Sequence, residues 1–280
     1  MIKKLIKRFC HLFNIEIVNY RLYNQNLLSQ KIDSAERVKA LDAINRLNYI
    51  ISNTHEPSQE LNEINFLCFG IDKIMLSNAQ LFQDLFVLYY LKNKRNGFFI
   101  EFGATDGITL SNTYLLEDSY HWNGILCEPG KIWQKKLSAN RKCIVDFRCV
   151  WSKSGETLQF NETKIPELSA IETFNESDYH SKNREEGLNY SVETISLNDL
   201  LVEYKAPHVI DYLSIDTEGS EFDILKEFDF EKFKISVITV EHNFSPKREE
   251  IYKLLTCKGY KRVFEKLSLF DDWYVFSENV

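Results

Sequence analysis

A glycine-bearing loop at residues 103–107, with the sequence GATDG, follows the apolar stretch FFIEF. Loops of this kind bind nucleotides. A dinucleotide-binding loop reads GxGxxG, because its second glycine lets the backbone approach a pyrophosphate. Thr105 stands at that second position here, and the carboxylate of Asp106 follows it. Because a carboxylate repels phosphate, the loop predicts a cationic, zwitterionic or hydroxyl-rich ligand.

An acid at the end of the next apolar stretch, GILCEP, extends this site. Glu128 lies 22 residues beyond Asp106, and an acid at about this spacing accepts hydrogen bonds from ribose hydroxyls in nucleotide-binding folds. The loop and Glu128 predict a site for a ribose without a pyrophosphate, which S-adenosylmethionine satisfies. Glu101 and Asp106 are expected to face its ammonium group or nearby waters. The alternatives are a lysine partner for Glu101, a turn role for Asp106 and a helix-capping role for Glu128.

Alternating strand and helix patterns position these residues. The predicted strands are GFFIEFG, GILCEP, CIVDFRCVW, VIDYLSID, ISVITVE, YKRVFEKL and DWYVFS. Helical patterns separate most of them, which predicts a mostly parallel twisted sheet with helices on both faces. The last two strands have no helical pattern between them, so we expect a C-terminal hairpin that places one strand antiparallel. This α/β architecture is the Rossmann-like fold of class I methyltransferases.

Composition limits the function classes. The chain has 280 residues and a net charge of −7, which argues against a general nucleic-acid-binding role, since that needs a basic face. Its 6 cysteines form no CxxC pair, so a reduced, cytoplasmic compartment is predicted. No apolar run approaches the length of a membrane span.

The chain is expected to consist of an N-terminal helical extension, residues 1–65, and a catalytic domain, residues 66–280. Residues 1–18 begin with MIKKLIKR and form a basic amphipathic pattern. One interpretation is peripheral contact with the inner, anionic face of a membrane. The other is a helix docked on the main domain or on a partner subunit.

Several stretches together resemble the FkbM family of S-adenosylmethionine-dependent methyltransferases. They are SNAQLFQDLFVLYYLKNKRNGFFIEFGATDGITLSNTYLLE, WNGILCEP and YLSIDTEGSEFDIL, and the resemblance covers residues 77–276. It implies a class I methyltransferase fold and O-methylation of sugars, polyketides or other small molecules. Many members act in the synthesis of bacterial surface glycans, so a sugar hydroxyl in glycan or polysaccharide biosynthesis is the expected acceptor. The alternative is a non-catalytic interaction module with the same fold.

The resemblance also implies roles for particular residues. Glu101, Gly103, Asp106 and Gly107 match the first cofactor motif of the family, and Glu128 matches its ribose-binding acid. Asn112 belongs to the SNT sequence that follows the loop in one branch of the family. It is expected either to contact the carboxylate of the cofactor or to cap the helix that follows.

Polar residues at two further strand ends are the candidates for chemistry. Asp216 ends the fourth strand, in SIDTEG, and Glu241 and His242 end the fifth, in VEHN. In this architecture these strand ends face the transferred methyl group. O-methylation requires removal of a proton from the acceptor hydroxyl. His242 is the only histidine at a predicted strand end, so it is the predicted base, with Asp216 as the alternative.

The same strand ends offer a second mechanism. Asp216, Glu218, Glu241 and His242 could coordinate a divalent cation such as Mg²⁺, which would lower the pKa of the acceptor hydroxyl. The alternative is that the DxE pattern only shapes a turn and caps a helix.

The polar stretch 161–191 lies between the third and fourth predicted core strands. It is predicted to be a solvated surface loop with a short helix. The alternative is an acceptor-binding lid, in which Tyr179, His180 and Arg184 contact a sugar.

Overall fold

A computed structural model of the chain describes residues 57–70, 73–163, 169–171 and 187–277. The helices are α1 (Pro57–Gly70), α2 (Gln83–Tyr90), α3 (Tyr114–Tyr120), α4 (Lys131–Asn140), α5 (Leu197–Glu203), α6 (Glu221–Lys226), α7 (Lys247–Cys257) and α8 (Glu265–Ser268). The strands are β1 (Phe98–Phe102), β2 (Asn123–Cys127), β3 (Ile144–Asp146), β4 (Cys149–Trp151), β5 (Thr157–Glu162), β6 (Ala170–Ile171), β7 (Leu188–Ser196), β8 (Val209–Ile215), β9 (Lys234–Glu241), β10 (Tyr260–Val263) and β11 (Asp271–Phe276).

The main sheet has seven strands in the order β10-β11-β9-β8-β1-β2-β3. The strands from β9 to β3 in that order run parallel, and β11 is antiparallel to both of its neighbours. In β8 every residue after Val209 is buried, which is typical of a central strand covered on both faces. The predicted Rossmann-like methyltransferase fold and its C-terminal antiparallel hairpin are confirmed.

The predicted strand CIVDFRCVW is in fact two strands, β3 and β4, which belong to different sheets. The chain bends at Phe147 and Arg148, because Oδ1 of Asp146 accepts hydrogen bonds from the backbone nitrogen of Arg148 at 2.8 Å and from its Nε at 3.1 Å. After this bend, β4 leaves the main sheet and pairs with β7.

A second sheet, in the order β4-β7-β5-β6, occupies part of the region that the sequence predicted to be a surface loop. That prediction is wrong for β5, β6 and β7, which pack around a small core of Cys149, Phe160, Ile171 and Val192. Along β7 polar residues alternate with apolar ones, as in an antiparallel strand with one solvated face, and the polar residues dominate its sequence. Residues 164–168 and 172–186, which include the candidate lid residues Tyr179, His180 and Arg184, lie outside the described residues.

Helix α1 packs against the domain through Phe66. Its ring stacks on Phe264 at 5.4 Å and meets Trp273 edge-on at 5.9 Å. The helix crosses the boundary that the sequence placed between residues 65 and 66. The predicted basic helix at residues 1–18 and the rest of the extension up to residue 56 lie outside the described residues. None of the described helices is long and apolar enough to cross a membrane.

Candidate active site

A cleft of about 820 Å³ opens at the carboxyl ends of β1, β2, β8 and β9, where parallel α/β sheets bind ligands. The loop after β1 forms one wall of this cleft. Gly103 has a φ of +75°, and a Cβ there would lie 2.0 Å from the carbonyl oxygen of Asp216. Only glycine fits this contact, which joins the loop to the end of β8. Thr105 adopts a φ of 47° and lines the same wall.

Glu128 lies where the sequence placed it. Its Oε2 accepts a hydrogen bond from the Thr105 nitrogen at 2.9 Å, and its Oε1 accepts one from the Gly130 nitrogen at 2.7 Å. Burial raises the pKa of this carboxyl to about 7. Because each carboxylate oxygen has a further lone pair, Glu128 can still accept hydrogen bonds from a ligand in the cleft, which it lines.

Asp106 and Gly107 shape the loop and are not among the residues that line the cleft. Oδ1 of Asp106 accepts hydrogen bonds from the nitrogens of Ile108 and Thr109 at 2.9 and 2.7 Å. Gly107 has a φ of +80°, and a Cβ there would lie 2.6 Å from Leu137. Asp106 therefore forms the turn of the loop, and its contact with an ammonium group stays a prediction.

Glu101 is buried and holds the segment that follows the loop. It accepts hydrogen bonds from the Asn112 nitrogen at 2.8 Å and from the hydroxyls of Ser111 and Thr113. Burial raises the pKa of Glu101, although Arg141, whose Nη1 lies 3.7 Å away, opposes this shift. These hydrogen bonds allow Glu101 to position Asn112, and its Oε1, which accepts one of them, keeps a lone pair in the cleft that Glu101 lines.

Asn112 does not cap α3 with its side chain. Its Nδ2 donates a hydrogen bond to Oγ of Ser214 at 2.9 Å. Its Oδ1 is buried in the cleft wall and has no hydrogen-bond partner among the described residues. A buried acceptor without a partner fits a site that receives a hydrogen-bond donor from a ligand, such as the ammonium group of S-adenosylmethionine.

Three acids converge at the ends of β8 and β9. One ligand atom from each of Asp216, Glu218 and Glu241 can be chosen so that all lie within 4.8 Å of one another. Asn243 donates a hydrogen bond from Nδ2 to Oε2 of Glu241 at 3.0 Å. Burial raises the pKa of Asp216, and burial together with the charge of Asp216 raises that of Glu241 well above its ordinary value. Burial and mutual repulsion therefore raise the proton affinity of both carboxyl groups.

The structure does not bring His242 into this group. His242 follows the last residue of β9 and is not among the described residues that line the cleft, whereas Glu241 and Asn243 are. Its Nδ1 accepts a hydrogen bond from the Phe244 nitrogen at 3.0 Å, and its Nε2 lies 3.8 Å from Asp272. Burial lowers the pKa of His242 to about 4, so the ring is neutral at neutral pH. Among the described residues, His242 belongs neither to the cleft lining nor to the group of three acids, which favours Asp216 as the base.

Sequence reasoning missed Asp271 and Gln83, which also line the cleft. Oδ2 of Asp271 accepts hydrogen bonds from Nε2 of Gln83 at 3.0 Å and from Nε1 of Trp273 at 3.1 Å. Burial raises the pKa of Asp271 to about 8. The sequence does show two acids, Asp271 and Asp272, at the start of the last predicted strand. Only the register of that strand against β9 places Asp271 beside Glu241.

The charge of the cleft has one sign. Six carboxyl residues line it: Glu101, Glu128, Asp216, Glu218, Glu241 and Asp271. No lysine, arginine or histidine stands among the described residues that line it. Like charges and burial together raise carboxyl pKa values, and a cationic ligand relieves both effects. The donor set therefore fits the sulfonium and ammonium groups of S-adenosylmethionine.

The sheet order, the antiparallel strand β11 and the cleft at the carboxyl ends of the parallel strands define a class I methyltransferase. Residues 101–279 match the family described as the methyltransferase FkbM domain. The chain belongs to the FkbM methyltransferase family, and this membership implies S-adenosylmethionine as the methyl donor.

Solved structures similar to the chain include three proteins at low identity. Precorrin-6y C5,15-methyltransferase from Geobacter metallireducens GS-15 has 11% identity and a TM-score of 0.33, over 64% of this chain and 71% of that one. The fibrillarin/Nop5p complex has 15% identity and a TM-score of 0.32, over 67% of this chain and 78% of that one. A mutant of MtNAS has 10% identity and a TM-score of 0.32, over 85% of this chain and 70% of that one. A search among curated proteins found no match.

Proposed function

We propose that this methyltransferase transfers a methyl group to a hydroxyl of a sugar during the synthesis of a glycan or polysaccharide. The observation that carries this proposal is the pair of buried acids Asp216 and Glu241, whose pKa values are raised, in a cleft without cationic side chains among its described lining residues. A hydroxyl acceptor must lose a proton, and this pair offers a desolvated carboxylate to receive it.

Three parts of the cleft would hold the methyl donor. Glu128 would accept hydrogen bonds from the ribose, and the loop from Gly103 to Thr105 would contact the donor through its backbone. Oδ1 of Asn112 would accept a hydrogen bond from the ammonium group. S-adenosylmethionine supplies an electrophilic methyl group when bound.

The remaining residues would act on the acceptor. Asp216 would accept the hydroxyl proton as the methyl group is transferred, because burial has raised the basicity of its carboxylate. Glu241 would be the protonated member of the pair, because burial and the charge of Asp216 raise its pKa well above its ordinary value. Asn243 would orient Glu241 through its hydrogen bond to Oε2. Asp216→Asn should therefore abolish transfer without abolishing donor binding.

The same acids favour a second mechanism, in which Asp216, Glu218 and Glu241 hold a divalent cation. Their ligand atoms lie within 4.8 Å of one another, and carboxylate oxygens suit Mg²⁺. The cation would bind the acceptor hydroxyl and lower its pKa. Loss of transfer in EDTA that Mg²⁺ restores would support this mechanism, whereas full activity in excess chelator would refute it.

The deciding experiment has two parts. Calorimetry should detect binding of S-adenosylmethionine and S-adenosylhomocysteine, and Glu128→Gln should weaken both. Mass spectrometry of surface glycans from cells with and without the gene should reveal a missing methyl group. Donor binding without any methylated glycan would favour the non-catalytic interaction module.

Two further parts of the proposal concern location and partners. We place the protein in the cytoplasm, with no nucleic acid partner and with peripheral membrane contact through residues 1–18, on the basis of the basic amphipathic sequence there. Liposome co-sedimentation of the full chain and of a variant that lacks residues 1–20 tests the contact. Equal pelleting of the two proteins would refute it.

A further inference from the structure

Two exposed apolar side chains line the cleft. Phe244 is 73% exposed and Leu110 is 47% exposed. Of the exposed large apolar residues in the described part of the chain, only these two belong to the cleft lining. Single exposed apolar residues are common on protein surfaces. Two in the lining of one cleft, by contrast, are typical of a ligand site that combines apolar walls with a few polar groups.

The backbone at both residues lies in the left-handed region. Leu110 has a φ of 60°, Asn243 of 42° and Phe244 of 56°. Residues other than glycine seldom adopt this conformation, and strained positions of this kind cluster at binding and catalytic sites. The conformation keeps Phe244 at the opening of the cleft, although its apolar ring gains nothing from water there.

His242 holds the turn that carries Phe244. Besides the hydrogen bond from the Phe244 nitrogen to Nδ1, the two rings meet edge-to-face with centroids 5.4 Å apart. The Ser245 nitrogen donates a hydrogen bond to the His242 carbonyl at 2.7 Å. The buried imidazole thus has a role that neither the donor site nor the proton transfer requires, which is to position Phe244.

Polar groups lie next to this apolar surface. Asn243 immediately precedes Phe244, and its Nδ2 lies 3.0 Å from Oε2 of Glu241 and 3.5 Å from Oε2 of Glu218. A sugar ring presents both an apolar face of C–H groups and hydroxyls at its edge. The electron-rich face of an aromatic ring attracts C–H groups, and carboxylates accept hydrogen bonds from hydroxyls.

We propose that Phe244 and Leu110 form the acceptor platform, on which an uncharged sugar unit packs its C–H face while Glu218, Glu241 and Asn243 bind its hydroxyls. The absence of lysine, arginine and histidine among the described lining residues disfavours an acceptor unit that carries a carboxylate or a phosphate. This inference rests on the proposed function and adds to it the charge class of the acceptor and the residues that select it.

The test is saturation-transfer NMR on the full chain saturated with S-adenosylhomocysteine. The probes are the methyl glycosides of rhamnose, fucose, mannose, galactose and glucose, with methyl glucuronide as the anionic counterpart. The variants are Phe244→Ala, Phe244→Tyr and Leu110→Ala. Val209→Ala is the control, because Val209 is exposed at the amino end of β8, away from the cleft.

At least one neutral glycoside should bind, and methyl glucuronide should bind more weakly. Phe244→Ala should weaken glycoside binding about tenfold, the size expected for an aromatic packing contact. Leu110→Ala should weaken it less. Phe244→Tyr and Val209→Ala should retain it, and all variants should bind S-adenosylhomocysteine as the wild type does.

Three results would overturn the platform: no binding by any neutral glycoside, unchanged glycoside binding in Phe244→Ala, or equal binding of the glucuronide. Failure of the proposed function is distinguishable from these results. In that case the wild type would not bind S-adenosylhomocysteine, or it would bind glycosides through Phe244 without methylating any of them.

Discussion

Asp271 lies directly opposite Glu241 where β11 pairs with β9. Side chains of paired residues share one face of a sheet, so two carboxyl groups stand side by side in the cleft. Oδ1 of Asp271 has no hydrogen-bond partner among the described residues. Burial raises the pKa of both groups, that of Asp271 to about 8. Asp271 therefore retains its proton at neutral pH.

The first prediction concerns stability and pH. The pKa of Asp271 is raised from 3.8 to about 8 on folding, so between these values the folded state binds more protons than the unfolded state. The free energy of unfolding should fall as the pH rises through this window. Asp271→Asn cannot ionise, so at pH 8 it should melt higher than the wild type by about 2–4 °C or more.

Differential scanning calorimetry of ligand-free protein from pH 5 to pH 8 measures this effect. Asp118→Asn, at an exposed position, controls for the loss of one carboxylate. If the melting temperatures of the wild type and of Asp271→Asn change in parallel with pH, Asp271 does not ionise in this window.

The second prediction is that donor binding releases protons. The pKa of Glu128 is about 7, and hydrogen bonds from ribose hydroxyls stabilise its ionised form. S-adenosylmethionine should release more protons than S-adenosylhomocysteine, because only the former carries a sulfonium charge near Asp216 and Glu241. Calorimetry at pH 7 in phosphate and in Tris buffer should give different apparent enthalpies, and Glu128→Gln should reduce the difference. Identical enthalpies in the two buffers would exclude proton release.

The third prediction distinguishes a role of His242 in positioning Phe244 from a role as the catalytic base. An asparagine oxygen can replace Nδ1 as the acceptor for the Phe244 nitrogen, whereas leucine cannot. His242→Asn should retain most activity, and His242→Leu should raise the KM for the acceptor about fivefold, the expected effect of one lost hydrogen bond. The KM for S-adenosylmethionine should not change.

Steady-state kinetics of methyl transfer, with the acceptor or S-adenosylmethionine as the varied substrate, measures both KM values. The pKa of His242 is about 4, so the pH profile between pH 6 and pH 8 should be the same in the wild type and in His242→Asn. A large, equal loss of kcat in both variants, about a hundredfold or more, would show instead that His242 is the base.

The fourth prediction concerns Arg141, whose side chain is fully buried. It pairs with Glu117 and donates hydrogen bonds to the Gly107 carbonyl at 3.1 Å and to the Thr113 hydroxyl at 2.9 Å. Arg141→Met leaves buried carboxylates without their partner and should lower the free energy of unfolding by about 3–5 kcal/mol. Urea denaturation measures this loss, with the exposed Arg95→Met as control. A loss no larger than that of the control would refute the role of Arg141 as an anchor of the loop.

The sequence predicted the main sheet well, because its buried strands read as apolar runs between helical patterns. Glu128 could be placed because its distance from the loop is set by one strand–helix–strand unit. The second sheet was missed, since β5 and β7 face solvent on one side and carry many polar residues. The sequence alone also could not separate Glu241 from His242. Only the end of β9 at Glu241 and the turn after it decide which of the two enters the cleft.

The same limit explains why the sequence did not place Asp271 and Phe244 in the cleft. Asp271 reaches the cleft only because β11 inserts between β9 and β10, an order that the linear sequence does not state. Phe244 would normally be assigned to the core as a large aromatic residue. Its exposure follows from two successive left-handed residues, and although Asn243 and Ser245 are turn formers, they do not indicate on which side the ring lies.

The contact between Gly103 and the carbonyl of Asp216 has a consequence for how new acceptors could be acquired. A single added carbon at residue 103 would collide with the backbone that carries the proposed base, so a change at this junction disturbs donor binding and proton transfer together. The acceptor platform of Leu110 and Phe244 is free of that constraint. Directed evolution toward a different sugar should therefore accumulate substitutions at the acceptor platform and in the second sheet. The contact between Gly103 and Asp216 should stay unchanged.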